Sequence, residues 1–156
     1  MKKTLLSNAA ALLLFLLPSC VASLEQVRVE SYGVEDVVFA GASRITMTLS
    51  IKVHNPSTRK LTLQHAAFDV LDSDAPVARL RLLEPVEIPA SSDVSCALPV
   101  ELEITNMLAL LTGGIDLRNP QLDDLLVNGS LQVKAGLLRK TVNIRKKTVG
   151  QLLKEL

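Results

Sequence analysis

The stretch Ile45–Val53, ITMTLSIKV, alternates apolar and polar residues without a break over nine positions. Successive side chains of a β-strand point to opposite faces, so this period of two predicts a half-buried antiparallel strand. The pattern stops at His54, Asn55 and Pro56. Asn55 can bond to nearby backbone, and Pro56 lacks the amide hydrogen that a central ladder needs. We therefore expect this stop to be a structural device rather than a chemical site.

The same period recurs on both sides of this stretch. Val94–Ile104 alternates over eleven residues, and Pro99 within it predicts an edge strand or a bulge because proline cannot donate a ladder hydrogen bond. Shorter strands are predicted at Val27–Ser31, Leu61–Val70, Val77–Leu82 and Val86–Ile88, and a hairpin in Gly129–Lys147 that turns near Gly136.

After Ile104 the spacing of apolar residues becomes helical. Met107, Leu110 and Leu111 share one helical face, a Thr or Asn precedes them as a cap, and Gly113-Gly114 ends the helix. A weaker helical pattern starts at Asn119, and the tail 148–156 suggests a last helical turn.

The order of these segments predicts a mostly β fold. Strands, a helix and a final hairpin indicate a two-sheet antiparallel β-sandwich, immunoglobulin- or fibronectin III-like, with one short helix capping one end. A length of 156 residues suits one domain. The chain has three Phe, one Tyr and no Trp. The core is therefore expected to be aliphatic, and surfaces that stack sugars or unpaired bases on aromatic rings are excluded.

The first residues have the pattern of an export signal. Lys2 and Lys3 precede the apolar run Ala9–Leu17, which is too short for a bilayer span of roughly 20 residues. Leu17-Pro18-Ser19-Cys20 resembles the lipobox of bacterial lipoproteins, although Pro at its second position is unusual. The resemblance implies that Cys20 carries acyl chains that anchor the protein stably. An ordinary secretory signal with a coincidental cysteine is the alternative.

These features predict a domain organisation and a location. Residues 1–19 are a lipoprotein signal peptide, 20–26 a lipidated N-terminus and short linker, 27–147 the β-domain, and 148–156 a tail. Val21 in place of Asp implies the outer membrane of a two-membrane cell, with the domain facing the periplasm. Cys96 is then the one remaining cysteine, which precludes an intramolecular disulfide and suggests a buried core residue.

Chemical motifs are absent from the sequence. His54 and His65, the two histidines, lie in no catalytic or metal-binding motif, and Asp72 and Asp74 lack the spacing of a calcium loop. We therefore predict no catalytic residue, no metal and no cofactor. An exported chain with a net charge of +1 and few aromatic residues also predicts no nucleic-acid partner.

A basic group near the C-terminus allows two interpretations. It contains five positive charges within nine residues: Arg139, Lys140, Arg145, Lys146 and Lys147. The first interpretation is contact with anionic lipid headgroups, worth about 1 kcal/mol per charge near such a surface. The second is that the charges protect an edge strand from pairing with other molecules.

Four sequence features in order resemble the late embryogenesis abundant type 2 family, which is also called the water stress and hypersensitive response (WHy) domain. They are an alternating strand that ends in Asn55-Pro56, the segment IPASS that contains Pro89, the segment LPV, and Gly129 before the penultimate strand. The match covers roughly Val27–Ile144. The resemblance implies a small β-sandwich and a non-enzymatic role linked to stress tolerance. An export signal departs from a cytosolic stress-protectant role.

The expected function is that of a non-enzymatic, membrane-anchored envelope lipoprotein whose WHy-type domain is a binding or stabilising module. Its expected partners are the membrane, through Cys20, and a protein or an apolar ligand in the envelope. The alternative is a periplasmic carrier or assembly factor for an apolar ligand or partner segment. Its sequence signal is the Leu-rich segment Met107–Leu111, which is suited to act as a lid.

Overall fold

The computed structural model of the chain describes residues 26–112, 125–148 and 150–152. These residues form a mostly antiparallel β structure with one short helix, α1 (Met107–Thr112), and a helical turn at residues 150–152. The strands are β1 (Arg28–Phe39), β2 (Arg44–Asn55), β3 (Leu61–Asp72), β4 (Ala75–Leu82), β5 (Val86–Ile88), β6 (Ser92–Ile104), β7 (Leu126–Ala135) and β8 (Leu138–Thr148). The predicted signal, anchor and second helix lie outside the described residues.

Hydrogen bonds join the eight strands into one sheet in the order β1-β2-β6-β4-β3-β7-β8, with β5 paired to β3. Strand β4 pairs with β6 on one side and with β3 on the other. Strand β5 continues the position of β4 along β3, opposite Leu61–Leu63. The mostly antiparallel β class was predicted correctly. The strands expected to form two separate sheets belong instead to one hydrogen-bonded sheet, in which β4 connects β6 to β3.

The alternating stretch Ile45–Val53 forms the centre of β2. The twelve residues of β2 pair with β6 without a register shift, from Arg44 opposite Glu103 to Asn55 opposite Ser92. Apolar residues of the two alternating patterns face each other, as in the pair formed by Leu49 and Leu98. Cross-strand apolar pairs of this kind stabilise a sheet, which explains why these two strands are the longest uninterrupted pair.

Pro99 lies in an interior strand, so the predicted edge position or bulge is wrong. It pairs with Thr48 of β2 in continuous register, but the β4 ladder on the other side of β6 begins only at Val100. The Pro99 carbonyl oxygen accepts a 2.9 Å hydrogen bond from the Leu83 amide, just beyond the end of β4. The carbonyl and nitrogen of a strand residue point to the same side, so the Pro99 nitrogen faces the end of β4, beyond the last pair of that ladder.

A cluster of buried apolar residues lies toward the end of the sheet near α1, and Val53 and Leu61 are fully buried at the other end. The buried members of the cluster are Ile45, Val70, Val77, Ala78, Ile104, Val127, Leu131 and Ile144. Helix α1 is capped as predicted, because the Asn106 side chain accepts a 3.0 Å hydrogen bond from the Ala109 amide. Ala109 packs against the core, whereas Leu108 and Leu111 are 73% and 70% exposed. The helix therefore covers less of this end than its apolar pattern predicted.

Candidate functional site

Asn55 lies completely buried where β2 ends. Its side-chain nitrogen donates to the carbonyl oxygens of Pro89 and Arg59, at 2.8 and 3.2 Å. Its side-chain oxygen accepts from the amide and the hydroxyl of Ser57, at 3.0 and 2.8 Å. Both polar atoms of the Asn55 side chain thus form hydrogen bonds to the backbone or to the Ser57 hydroxyl, and neither is available to a ligand or substrate. Pro56 follows on the exposed surface.

Gly129 lies inside β7, opposite Phe68 of β3. A Cβ placed on Gly129 would collide with the carbonyl oxygen of Ala67 and would lie 2.7 Å from the Phe68 ring. The Phe68 side chain therefore occupies the space that a larger residue at 129 would need. The φ angle of Gly129 is not positive, so its backbone conformation does not require glycine. The close approach of the two strands does.

The polar residues that sequence patterns single out do not come together. His54 contacts Asp93 at 2.5 Å on the surface, and His65 is exposed on β3. Asp74 pairs with Lys146 at 2.9 Å, and both side chains are exposed. Within residues 26–112, 125–148 and 150–152, no three His, Cys, Asp or Glu side chains are grouped as metal ligands.

Ion pairs cover the outer face of the sheet. Glu101 accepts from Arg81 at 2.6 Å, and Asp69 accepts from Arg79 at 2.8 Å. These hydrogen bonds and the attached negative charges raise the pKa of both arginines. The pairs are largely exposed on the arginine side, so they solvate the surface and add little to stability.

The five basic residues near the C-terminus do not form one patch. Residues Arg145 and Lys146 oppose Asn128 together in a bulge of β8, where Lys146 has a φ of 48° and its amide donates to Asn128. The Lys146 ammonium is held by Asp74. Arg139 points to the outer face opposite Lys134, whereas Lys140 lines the inner face of the sheet. The bulge residues also border an open polar depression at Asp69 and Asn143.

An apolar cavity of about 410 Å³ lies against the inner face of the curved sheet. All eight strands and Leu152 contribute side chains to its lining, and nearly all of these side chains are aliphatic. The alternating residues of β2, Leu49, Ile51 and Val53, illustrate the pattern. The residues that the period of two predicts for a core thus surround a space that they do not fill.

Incomplete burial of these aliphatic side chains marks the cavity. Leu49, Ile51, Leu63, Leu80 and Leu98 all line it, and each is only half-buried. Inward-facing aliphatic residues of a closed core pack at the density of an organic crystal and lose nearly all contact with water. These half-buried residues therefore border open space, whereas Val53, Leu61 and Val100 line the same cavity and are fully buried.

The cavity extends to the end of the sheet where β1 begins. Val27 and Val29 line the cavity, and Arg28 pairs with His54 near the end of β2. At the same end, the start of β3 at Leu61 lies opposite Ala135 of β7. No hydrogen-bonded ladder joins β1 to β8 within the described sheet, so the two edges leave the curved sheet unclosed.

Lys140 is the one charged residue among the described residues that line the cavity. It is exposed to solvent and lies opposite Val133, which also lines the cavity. Two residues further along the same face of β8, Val142 is half-buried. Lys140 therefore stands at the rim, where the apolar lining meets water.

No family model and no curated protein matches this chain. Among solved structures, a protein from Archaeoglobus fulgidus is similar with 11% identity and a TM-score of 0.45, over 78% of this chain and 99% of that one. An X-ray structure from the Northeast Structural Genomics Consortium has 11% identity and a TM-score of 0.41, over 80% and 88%.

A third similar structure comes from a protein ascribed to the late embryogenesis abundant family. It has 12% identity and a TM-score of 0.30, over 93% of this chain and 86% of that one. This loosely fits the family resemblance, while membership of the WHy family stays a prediction. Likenesses this weak carry no argument about function. No helix in the described part of the chain is long and apolar enough to cross a membrane.

Proposed function

We propose that this protein is a non-enzymatic binding module of the cell envelope that holds an apolar ligand in the cavity of its curved sheet. One observation carries the proposal: half-buried aliphatic side chains from every strand surround about 410 Å³ of space. Small-molecule sites occupy roughly 300–1,000 Å³ and are lined mainly by apolar side chains. An apolar lining offers water few hydrogen-bond partners and therefore favours apolar molecules.

The cavity favours a carrier over a purely stabilising module. A domain that acts only through its surface gains nothing from an unfilled core, because each buried void costs dispersion contacts and stability. A bound aliphatic chain would restore those contacts. The carrier does not need α1 as a lid, since α1 meets the core through Ala109 at the opposite end from Val27.

We propose that Cys20 anchors the domain to the outer membrane, facing the periplasm. Val27, which lines the cavity, is seven residue steps from Cys20, with six residues between them. Even a fully extended segment of that length spans at most about 25 Å. The rim would therefore stay close to the lipid headgroups, where an aliphatic ligand can enter without crossing much water.

A WHy-type sandwich is the finer fold that we propose. One continuous sheet that surrounds a cavity with all eight strands must be strongly curved. In such a sheet β1, β2 and β6 face β3, β7 and β8 as two layers, and β4 connects them. This arrangement is compatible with the family resemblance carried by Asn55, Pro56, Pro89 and Gly129.

Binding of a protein segment is a second candidate function. The last residues of edge strand β1 are exposed and apolar: Val37 is 48%, Val38 59% and Phe39 67% exposed. An open edge with unpaired backbone groups is suited to accept an added strand. In this case the partner would bind outside the cavity.

Native mass spectrometry of the full chain purified from bacterial membranes tests the main proposal. We expect a mass increment of one aliphatic molecule beyond the acyl chains of the anchor, identifiable after solvent extraction. A chain that carries only its anchor in extracts made with several different detergents, and that takes up no added aliphatic molecule, contradicts the proposal.

A further inference from the structure

We infer that the ligand is a single-chain anionic amphiphile, and that Lys140 binds its charged head at the rim of the cavity. The inference rests on the proposed function, because it assigns a chemical class to the ligand of the same cavity. It adds that the ligand is negatively charged and has a single aliphatic chain, neither of which an apolar lining alone requires.

Position on the strand sets the role of Lys140. Lys140, Val142 and Ile144 lie on the inner face of β8, and their side chains change from exposed to half-buried to buried. A lysine at such a boundary lays its methylene groups on apolar surface and keeps its ammonium in water. The ammonium is therefore placed where an aliphatic chain in the cavity would end.

The described part of the chain provides no counter-charge for Lys140. Lys140 forms no ion pair with a residue that the structure describes. The described carboxylates at this end each have a partner: Glu87 pairs with Lys60 at 2.7 Å, Glu30 pairs with Lys52 at 2.8 Å, and Asp93 contacts His54. Arg59 adds a further positive charge, since its guanidinium lies against the turn at Gly136. The rim is therefore positive and attracts an anionic head.

The cavity volume limits the number of chains. About 410 Å³ lies near the lower end of the range for small-molecule sites of roughly 300–1,000 Å³. This favours one aliphatic chain over the two chains of a phospholipid. An ionised head inside the apolar lining would be costly, because no described lining residue other than Lys140 carries a charge. The head must stay at the rim, in contact with water and with Lys140.

Photolabelling in isolated bacterial membranes that contain the full chain tests the inference. Three probes with the same photoreactive group in a C16 chain are compared: palmitic acid, the neutral alcohol hexadecanol, and a two-chain phosphatidylglycerol. In the unchanged protein we expect both single-chain probes to label cavity-lining peptides, the acid at lower concentration, and the phospholipid to label them weakly.

Three variants, each compared with the unchanged protein, then isolate the role of the charge. Lys140→Gln should raise the concentration of palmitic acid that gives half-maximal labelling about two- to fivefold, the range of an exposed ion pair, and leave hexadecanol unchanged. Lys140→Arg should restore labelling by the acid. Arg139→Gln removes the same charge from the outer face of the same strand and should change neither probe, which controls for general attraction to the membrane.

Each contrary outcome has a distinct meaning. If hexadecanol labels the cavity and Lys140→Gln leaves the acid unaffected, or weakens both probes equally, the inference is overturned while the proposed function stands. Stronger labelling by phosphatidylglycerol overturns the single-chain assignment. If no probe labels the lining peptides, the proposed function fails and the inference fails with it.

Discussion

The side chain of Asn55 donates a 2.8 Å hydrogen bond to the carbonyl oxygen of Pro89, which lies 34 residues further along the chain. This bond joins the end of β2 to the segment between β5 and β6, at the end of the sheet where the chain enters the domain. Asn55 at the end of β2 is thus a buried residue that holds two segments of the fold together. It lies next to the rim of the cavity.

Asn55→Ala should destabilise the protein by about 2–3 kcal/mol, because four hydrogen bonds are lost and two partly buried carbonyl groups are left without this partner. Urea unfolding of the full chain measures the change. His54→Ala is the matched control, since it removes a surface contact with Asp93 and should cost less than about 1 kcal/mol. Equal effects of the two substitutions would contradict the structural role of Asn55.

Gly129→Ala should destabilise the protein by about 1–3 kcal/mol, because the added methyl group collides with backbone of β3 and cannot be relieved by a side-chain rotation. Gly33→Ala provides the control in another strand. A Cβ at Gly33 meets no atom within 4 Å, so its unfolding midpoint should stay nearly unchanged. A Gly129→Ala protein as stable as Gly33→Ala would show that β3 and β7 do not approach as closely as described.

Cys96 should react slowly with iodoacetamide in the folded protein. Its side chain is buried, and burial raises the pKa of its thiol above the ordinary value of 9.0 because the thiolate is poorly solvated there. The unfolded chain therefore releases the thiol proton first as the pH rises, so this residue lowers folding stability only above about pH 9. Alkylation rates between pH 7 and 10, with and without urea, check the prediction.

Rapid alkylation of Cys96 in folded protein at pH 8, at the rate measured in urea, would contradict its burial. The reaction must be followed at Cys96 itself, by mass spectrometry of the peptide that contains it. Cys20 is excluded from the measurement in this way, whether or not it is acylated.

Cys20→Ser should release the protein from the membrane fraction, because the serine hydroxyl does not replace the thiol that takes the diacylglyceryl group of the anchor. Fractionation of expressing bacterial cells, with the protein detected in each fraction, measures the effect. Cys96→Ala is the control and should remain in the membrane fraction. Retention of Cys20→Ser at the level of the unchanged protein would contradict the lipoprotein assignment.

Much of the local structure was predictable from the sequence because it depends on neighbours along the chain. The alternation in Ile45–Val53 and Val94–Ile104 reports directly which face of a strand is apolar, and both segments became central strands. The cap at Asn106 follows from the same kind of local chemistry. Pro99 was placed wrongly because its tolerance depends on where β4 ends, a fact set by pairing between distant segments.

The cavity could not be predicted from these patterns. An alternating strand looks the same whether its apolar face packs tightly, as at Ile45, or borders open space, as at Leu49. The alternation within β8 already places Lys140 on the apolar face of Val142 and Ile144, and Arg139 on the other face. The sequence does not show that this apolar face borders a cavity, because that depends on how β8 pairs with β7 and on the strands across the sheet.

The most direct test of the central claim is the position of the hexadecanol photolabel in the full chain, compared between Val133→Phe and Val38→Phe. Val133 lines the cavity and is half-buried, whereas Val38 is 59% exposed on β1 and outside the lining. We expect label on the lining segments of β2, β3 and β7, a several-fold loss of that label in Val133→Phe, and no change in Val38→Phe. Label confined to exposed residues, or equally strong in both folded variants, would contradict the proposal that the cavity holds an aliphatic ligand.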